Sequence, residues 1–273
     1  MYETYWQLRE KPFDNTCDPR FYYPAESHQT ALLKVRYAVE NGRGGAVLAG
    51  PSGCGKTLLV HMLREAMGPA CAPIVHLVFP QMSAPELLSY LADELTGVAA
   101  SSCNAGVHLS VQRMSRFLEE NTRRGKRALV VVDEAHLVSD PETLEAMRLL
   151  LNFEWQGTAG LSLMLVGQPG VLPILDRAPQ LTERLGARCL LRPWDASETG
   201  RYIAHRLRVA GTPECPFPDD AVEAIHRLSQ GLPRRINRLC DLALLVGYAE
   251  ERRKLGPAQI EAVGHELATV SAE

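Results

Sequence analysis

The octapeptide GPSGCGKT at residues 50–57 decides the fold of this chain, because it matches the glycine-rich loop pattern G-x-x-x-x-G-K-[ST]. The apolar run AVLA at 46–49 predicts a buried strand before the loop, and residues 57–67 predict a helix after it. Glycines let successive backbone N–H groups curl around an anion, and a helix N-terminus adds partial positive charge. Strand, loop and helix together therefore predict a nucleoside triphosphate site.

Each position of this loop has a defined chemical role. Lys56 is expected to meet the outer phosphates, and the Thr57 hydroxyl is expected to meet Mg²⁺. The alternative is a chance or decayed match that binds nothing, which the flanking strand and helix disfavour. The predicted nucleotide-binding residues are Gly50, Pro51, Ser52, Gly53, Cys54, Gly55, Lys56, Thr57 and Leu58.

A second signal is the run ALVVVDEAH at residues 128–136, a β-branched stretch that ends in two acids. The run predicts a buried parallel strand, whose carboxyl end places Asp133 where ligands of such sheets bind. Asp133 is the candidate metal ligand. Glu134, pointing to the other side of an extended path, is the candidate base for a water that attacks the γ-phosphate. The pair predicts hydrolysis; acids that cap the following helix are the alternative.

Composition limits the class of protein. The chain has 273 residues, 46% of them hydrophobic and 22% charged, which is enough for an α/β core and a small second domain. The net charge of -3 provides no global basic field for nucleic acid or anionic membranes. Apolar runs are far shorter than the roughly 20 residues of a spanning helix, and the N-terminus lacks an apolar signal region. We therefore expect a cytoplasmic protein without a membrane span.

The seven cysteines are scattered without a C-x-x-C pair, which suits reduced thiols and indicates no metal site. Cys54 differs from the others because it lies inside the glycine-rich loop. The N–H dipoles of such a loop favour a thiolate, so redox sensitivity of nucleotide binding is a hypothesis for this residue. A small side chain that simply fits the loop is the alternative.

Alternating helical and extended patterns predict the α/β class, a P-loop NTPase αβα sandwich with a five-stranded parallel sheet. The predicted strands are 46–49, 74–79, 128–132, 161–166 and 188–191, and the predicted helices between them are 27–41, 57–67, 85–95, 107–123 and 142–155. After Pro193 the pattern is wholly helical, with helices at 195–209, 218–229, 232–251 and 257–267. Two domains follow, 1–193 and 194–273, and the small polar residues at 99–106 predict a mobile loop.

The N-terminus is rich in aromatic residues, with seven in the first 23 positions. This bias predicts an ordered arm that belongs to the first domain. The arm could line an adenine pocket, or its rings could cover the sheet edge and the first helix.

Several segments resemble a known group of proteins. The acidic pair after the third strand, Gln168 after the fourth and the helical C-terminal region resemble the AAA+ ATPases. More narrowly, DPRFYY at 18–23, VGQP at 166–169 and GLPRRIN at 231–237 resemble the ExeA/GspA family of general-secretion-pathway ATPases. The resemblance runs from about residue 2 to residue 268. It implies ATP and Mg²⁺ as cofactors, a homo-oligomer, and an AAA+ lid domain at the C-terminus.

The resemblance also implies roles for single residues. Gln168 corresponds to the sensor that reads the γ-phosphate, with a loop-capping amide as the alternative. Arg184 corresponds to the arginine that reaches the nucleotide of a neighbouring subunit; Arg188 is its rival, and an ordinary surface charge is the alternative for both.

Arg234 corresponds to a second sensor, and its placement has a separate physical reason. Gly231 suits the end of one helix and Pro233 suits the first turn of the next. Arg234 is therefore expected to project from a helix N-terminus that favours anions.

Three functions remain open at this point. The resemblance favours an ATPase, slow without its oligomer or partner, that acts on a protein partner of a secretion or export system. Family members continue into a membrane span and a cell-wall-binding region, and because this chain stops at Glu273 we expect a stand-alone core. The second reading is a duplex-DNA-binding transposition regulator that recruits a transposase, with basic runs at 123–127 and 252–254. The third, a nucleotide-binding scaffold without turnover, is disfavoured by Glu134.

Overall fold

The computed structural model describes residues 1–98, 106–212 and 214–270. The loop predicted to be mobile, 99–106, lies outside the described residues except for its last position. The chain divides into two compact units. The sheet unit consists of Glu26–Pro51 and Leu59–Leu191, and the helical unit consists of Met1–Ala25, Ser52–Leu58 and Arg192–Glu273.

The strands of the described residues all lie in the sheet unit. In chain order they are β1 (Gly45–Ala49), β2 (Cys71–Leu77), β3 (Arg127–Val132), β4 (Glu154–Trp155), β5 (Thr158–Ala159), β6 (Leu161–Gly167) and β7 (Leu185–Leu190).

Helices precede, separate and follow the strands. They are α1 (Glu26–Glu40), α2 (Lys56–Ala66), α3 (Ala84–Thr96), α4 (Val107–Arg123), α5 (Pro141–Leu150), α6 (Val171–Asp176), α7 (Pro179–Thr182), α8 (Ala196–Val209), α9 (Asp219–Ser229), α10 (Pro233–Ala249) and α11 (Pro257–Val270). Short 3-10 helices span Pro19–Phe21 and Ala135–Leu137. Within the described part of the chain, no helix is both long and apolar enough to cross a bilayer.

Five of the strands form one parallel sheet in the order β2-β3-β6-β1-β7. On β1, Val47 is aligned with Leu165 of β6 on one side and with Arg188 of β7 on the other. Because the strands are parallel, the carboxyl ends of β3, β6 and β1 lie side by side along one edge. The predicted αβα fold with five parallel strands is confirmed, and its order places β6 between the strands that carry the two sequence motifs.

Apolar side chains cover both faces of this sheet. β1 and β6 are buried along their whole length. On one face, Val47, Val130 and Leu165 pack in a cluster with Leu91 of α3 and Met114 of α4. Strands covered on both sides are apolar at most successive positions, which is why they appear in the sequence as nearly continuous apolar runs.

One predicted helix, 142–155, is wrong in its second half. The helix ends at Leu150, and Glu154–Trp155 pairs antiparallel with Thr158–Ala159 as a small hairpin. The turn residues Gln156 and Gly157 have φ of 50° and 75°. Two left-handed residues are what a two-residue hairpin turn requires, so the local turn chemistry overrides the amphipathic pattern.

The N-terminal arm packs on the C-terminal helices within the helical unit. The indole Nε1 of Trp6 donates to the Leu244 carbonyl at 3.0 Å, and the Tyr5 ring lies 5.6 Å from the Tyr248 ring. The guanidinium of Arg206 lies 4.4 Å from the centre of the Phe21 ring. This unit thus groups the arm and the glycine-rich loop with the C-terminal helices, whereas the sequence placed both in a domain 1–193.

Candidate active site

The glycine-rich loop begins at the carboxyl end of β1 and ends where α2 begins. Its first N–H, from Gly50, donates to the Gly167 carbonyl of β6 at 3.1 Å. Gly53 and Gly55 have φ of 78° and 90°, which glycine adopts without steric cost. Lys56 is the first residue of α2. A loop of this kind that leads into a helix N-terminus exposes N–H groups to a phosphate, so these residues fit the predicted triphosphate.

The two residues with predicted roles at the end of the loop differ in exposure. Lys56 is only 7% exposed, whereas the next residue, Thr57, is exposed. Thr57 is therefore accessible from solvent, whereas Lys56 is almost wholly enclosed. This arrangement suits a Lys56 ammonium that stays in one place, next to a Thr57 hydroxyl that can bind a metal ion.

Arg234 packs against the loop within the helical unit. Its N–H donates to the Gly53 carbonyl at 3.1 Å, and a Cβ added to Gly53 would lie 2.8 Å from the Arg234 Cβ. Gly231 has a φ of 68°, and α10 begins at Pro233. Arg234 thus stands in the first turn of α10, where the sequence placed it, with its side chain exposed.

Cys54 does not have the environment that the redox hypothesis requires. Burial raises the pKa of the Cys54 thiol, and the opposing effects of Lys56, the backbone N–H groups and Arg234 are smaller. The expectation of a thiolate was wrong, because the loop encloses this side chain instead of presenting it to solvent.

The acidic pair lies at the carboxyl end of β3. Asp133 is buried and accepts the N–H of Glu134 at 2.9 Å. Glu134 has φ 49° and ψ 34°, in the left-handed region, so the extended path assumed from the sequence was wrong. The strand ends at Val132, and this turn sets the direction of the Glu134 carboxylate. A non-glycine residue there costs on the order of 1–3 kcal/mol and occurs chiefly at functional sites.

Two histidines contact this pair, although the sequence prediction gave neither a role. His76 of β2 has its Nε2 3.4 Å from the Asp133 carboxylate. His136 has its Nδ1 3.3 Å from the Glu134 carboxylate and accepts the N–H of Gln168 at 3.3 Å. The contact of His136 with Glu134 could have been expected from the sequence, because the two residues are only two positions apart. That of His76 depended on the pairing of β2 with β3, which places His76 beside Val131.

Gln168 directly follows β6. Because β6 lies between β3 and β1, Gln168 stands on the sheet edge between Asp133 and Gly50. Its side chain is half-buried. Gln168 thus lies between the predicted metal ligand and the start of the phosphate loop, and its role as a γ-phosphate sensor stays a prediction.

The two candidate trans-acting arginines lie elsewhere. Arg184 is exposed and immediately precedes β7, whose first residue, Leu185, is aligned with Gly45 at the amino end of β1. At about 3.3 Å per residue, β7 separates Arg184 from the carboxyl edge by about 20 Å. Arg188 is also exposed, in the middle of this edge strand. Arg184 therefore lies far from the carboxyl edge of its own sheet, and its role toward a neighbouring subunit stays a prediction, with an ordinary surface charge as the alternative.

The donor set suits Mg²⁺ bound together with phosphate. Among the residues that the structure describes, no group of three or more His, Cys, Asp or Glu side chains could hold a metal ion. Mg²⁺ is commonly bound through one or two carboxylates, waters and the phosphates of the substrate. Asp133 and Thr57 each carry oxygen donors of that kind, and their role as Mg²⁺ ligands stays a prediction.

The sheet, the glycine-rich loop and the acidic pair define a P-loop NTPase. A family model described as AAA domain matches residues 39–175, half of the chain, and the chain belongs to this family. It is also 34% identical to General secretion pathway protein A of Aeromonas hydrophila. That alignment covers 100% of this chain and 50% of the relative, so the chain spans about half of that protein's length. This similarity supports the ExeA/GspA resemblance.

Solved structures share the fold at low identity. The Aeropyrum pernix ORC2 protein, solved as ADPNP-ADP complexes, is 16% identical with a TM-score of 0.67, covering 94% of this chain and 71% of that one. The Aeropyrum pernix ORC1 protein in complex with DNA is 16% identical with a TM-score of 0.67, covering 96% of this chain and 69% of that one. At this identity the likeness establishes the fold alone.

Proposed function

We propose that this chain binds ATP with Mg²⁺ at residues 50–58 and hydrolyses it to ADP and phosphate. The observation that carries the proposal is the meeting of three features on one sheet edge. These are the start of the phosphate loop at Gly50, the Asp133–Glu134 turn and Gln168. Binding alone would require only the first of them.

Phosphoryl transfer to water depends on charge neutralisation and a positioned nucleophile more than on covalent chemistry. Lys56 and the loop N–H groups would hold the phosphates. Thr57 and Asp133 would hold Mg²⁺, which would supply neutralising charge to the transferred group. Glu134 orients the attacking water and accepts its proton. Gln168 and Arg234 contact the γ-phosphate, Gln168 from the sheet edge and Arg234 from the first turn of α10.

The complete site requires a second copy of the chain. Arg184 is exposed and immediately precedes β7. It is proposed to reach the nucleotide of the neighbouring subunit, and Arg188 is the competing candidate. An arginine supplied in trans contributes about 10³–10⁵ in rate. The isolated subunit therefore turns over slowly, and its specific activity rises with protein concentration or with a partner. Constant specific activity across a wide concentration range contradicts this part of the proposal.

We further propose that the output is work on a protein partner in secretion or export. The similarity to General secretion pathway protein A over the whole chain supports this reading. Three of the seven basic side chains in the runs that favoured duplex DNA form ion pairs with acids. Arg123 and Arg124 contact Glu119 and Glu120, and Arg252 contacts Glu250. Paired arginines offer less counter-charge to a phosphate backbone than free ones.

The central test measures ATP binding and hydrolysis separately. We expect Lys56→Ala to abolish binding. We expect Glu134→Gln to keep binding while hydrolysis falls by about 10²–10⁴. Glu142→Gln, at an exposed acid of α5, is the matched control and should behave as the wild type. Wild-type protein that binds ATP but releases no phosphate in any assembly state would identify a nucleotide-binding scaffold instead.

A second test separates the partner classes. The Glu134→Gln variant, held in the ATP state, is imaged by electron microscopy with and without duplex DNA, and retention on DNA is measured against salt. We expect ATP-dependent oligomers that form without DNA. Steeply salt-dependent, ATP-dependent retention on DNA would support the transposition regulator and contradict the protein-partner proposal.

A further inference from the structure

His136 lies between two groups that the proposed hydrolysis must coordinate. Its Nδ1 is 3.3 Å from the backbone nitrogen of Gln168 and 3.3 Å from the Glu134 carboxylate. Packing holds the residue there, since a Cβ added to Gly167 would lie 3.1 Å from the His136 nitrogen and 3.4 Å from Nδ1. The turn that carries His136 is therefore seated against the end of β6.

One nitrogen cannot serve both neighbours at once. To accept the Gln168 N–H, Nδ1 must keep its lone pair, so the proton of the neutral ring is on Nε2. The Glu134 carboxylate then faces the lone pair of Nδ1. Because both groups are acceptors, the carboxylate gains no hydrogen bond from this ring. When the ring proton moves from Nε2 to Nδ1 through solvent, Nδ1 donates to Glu134 and the Gln168 N–H loses its acceptor. The two hydrogen bonds exclude each other.

We propose that His136 is a positioning residue that couples the γ-phosphate sensor loop at Gln168 to the base Glu134. This inference rests on the proposed ATP hydrolysis. With the loop seated, the Gln168 N–H engages Nδ1 and the Glu134 carboxylate is free to take the proton of the water. With the loop displaced, Nδ1–H holds the carboxylate and turnover stops. His136 acts on turnover and leaves ATP binding unchanged.

The test compares two replacements of similar shape. His136→Asn keeps an acceptor, Oδ1, at the δ position, whereas His136→Leu has only methyl groups there. We expect His136→Leu to lower kcat by about 10- to 100-fold, the size of loss seen when outer-shell partners of metal ligands are removed, because the Gln168 N–H loses the acceptor that holds the sensor loop in place. ATP affinity and melting temperature should stay at wild-type values. His136→Asn should recover most of the lost kcat.

A double-variant cycle with Gln168→Ala distinguishes coupling from a merely structural role. If His136 passes the state of the sensor to Glu134, then His136→Leu causes little further loss once Gln168→Ala has removed the sensing side chain. Losses that multiply independently would overturn the proposal. So would an Asn variant that is no better than the Leu variant. Should His136→Leu fold poorly, His136→Ala replaces it in the same cycle.

The outcome also separates this inference from the proposed function. A wild-type protein without phosphate release contradicts ATP hydrolysis itself. A wild-type protein that hydrolyses ATP, together with a His136→Leu variant of unchanged kcat, contradicts only the coupling by His136.

Discussion

The sheet unit and the helical unit are stabilised by different kinds of contact. The sheet unit has an aliphatic core, and its strands and helices alternate along an almost continuous stretch of chain. The helical unit is assembled from three separate segments, and its core joins aromatic rings of the arm to distant helices. The hydrogen bond from Trp6 to Leu244 spans 238 residues. Local patterns predicted the helices and strands of both units, but not the packing of the arm on the C-terminal helices.

The residues with proposed roles in ATP hydrolysis are divided between the two units. Asp133, Glu134 and Gln168 belong to the sheet unit; they are proposed to bind Mg²⁺, to activate the water and to contact the γ-phosphate, respectively. Lys56 and Arg234, which are proposed to contact the phosphates, belong to the helical unit. Substitutions in the sheet unit should therefore change turnover, whereas substitutions in the helical unit should change binding or stability.

The largest expected effect tests the sheet unit. Arg184→Ala should lower kcat of the assembled protein by about 10³–10⁵, equivalent to about 4–7 kcal/mol of barrier, because the guanidinium neutralises charge that develops in the transition state. ATP affinity should be nearly unchanged, since the rest of the site is intact. Phosphate release at saturating ATP and nucleotide binding are the two measurements.

Complementation shows whether this arginine acts in trans. Arg184→Ala subunits keep a working nucleotide site, and Lys56→Ala subunits keep the arginine. A mixture of the two should recover activity that neither has alone. Arg188→Ala is the matched control at the same edge strand. If it loses the activity and Arg184→Ala does not, the roles of the two arginines are exchanged.

The next largest effect concerns the stability of the helical unit. Trp6 is buried and packs near Gly247, so Trp6→Ala should lower the free energy of unfolding by about 3–5 kcal/mol. Denaturant titration measures the loss. Trp155→Ala is the matched control, because this half-buried indole on β4 chiefly stacks on Arg123 at 5.3 Å. Weakened ATP affinity in a folded Trp6→Ala protein would instead favour an arm that lines the adenine pocket.

Most of the sheet unit and the positions of its functional residues were predictable from local sequence. Five aliphatic runs gave the parallel sheet, and the acids after Val132 placed Asp133 and Glu134 at the carboxyl edge. The left-handed turn at Glu134 was not predictable, because no local propensity favours a glutamate with φ of 49°. The contacts of His76 with Asp133 and of His136 with Gln168 depend on which strands are neighbours, and that order was not assigned from the sequence.

The helical unit shows where sequence patterns are insufficient. Seven aromatic residues indicated that the arm is ordered, but neither proposed location named the helices it packs on. Trp6 reaches Leu244 and Tyr5 reaches Tyr248 through contacts that no periodicity encodes. In contrast, Gly231 and Pro233 located the start of α10, and with it Arg234, because their backbone requirements are local.

A smaller effect is expected at the buried arginine of the helical unit. Arg206 is 3% exposed and donates to the carbonyls of Pro12 and Asp14, and burial lowers the pKa of its guanidinium. Arg206→Met keeps much of the packing but leaves these carbonyls without their donor. We expect a loss of about 1–3 kcal/mol in the free energy of unfolding, with kcat unchanged.

The control for this substitution is Arg201→Met on the same helix. Arg201 is exposed and its Nε donates to the Tyr23 hydroxyl at 3.1 Å. Chemical denaturation of both variants should show a clear loss only for Arg206→Met. Equal losses would mean that the carbonyl contacts of Arg206 contribute no more than a surface hydrogen bond.

The smallest expected effect is a pH dependence of stability at His205. Burial, together with the charges of Arg208 and Arg206, lowers the pKa of His205 below its ordinary value of about 6.5. Below that pH the unfolded chain takes up a proton that the folded protein resists, so the free energy of unfolding falls as pH drops from 6.5 toward the folded pKa. His205→Gln should flatten this slope and leave stability above neutral pH almost unchanged. The exposed His108→Gln should keep the slope, and an unaltered slope in His205→Gln would assign the acid sensitivity to other groups.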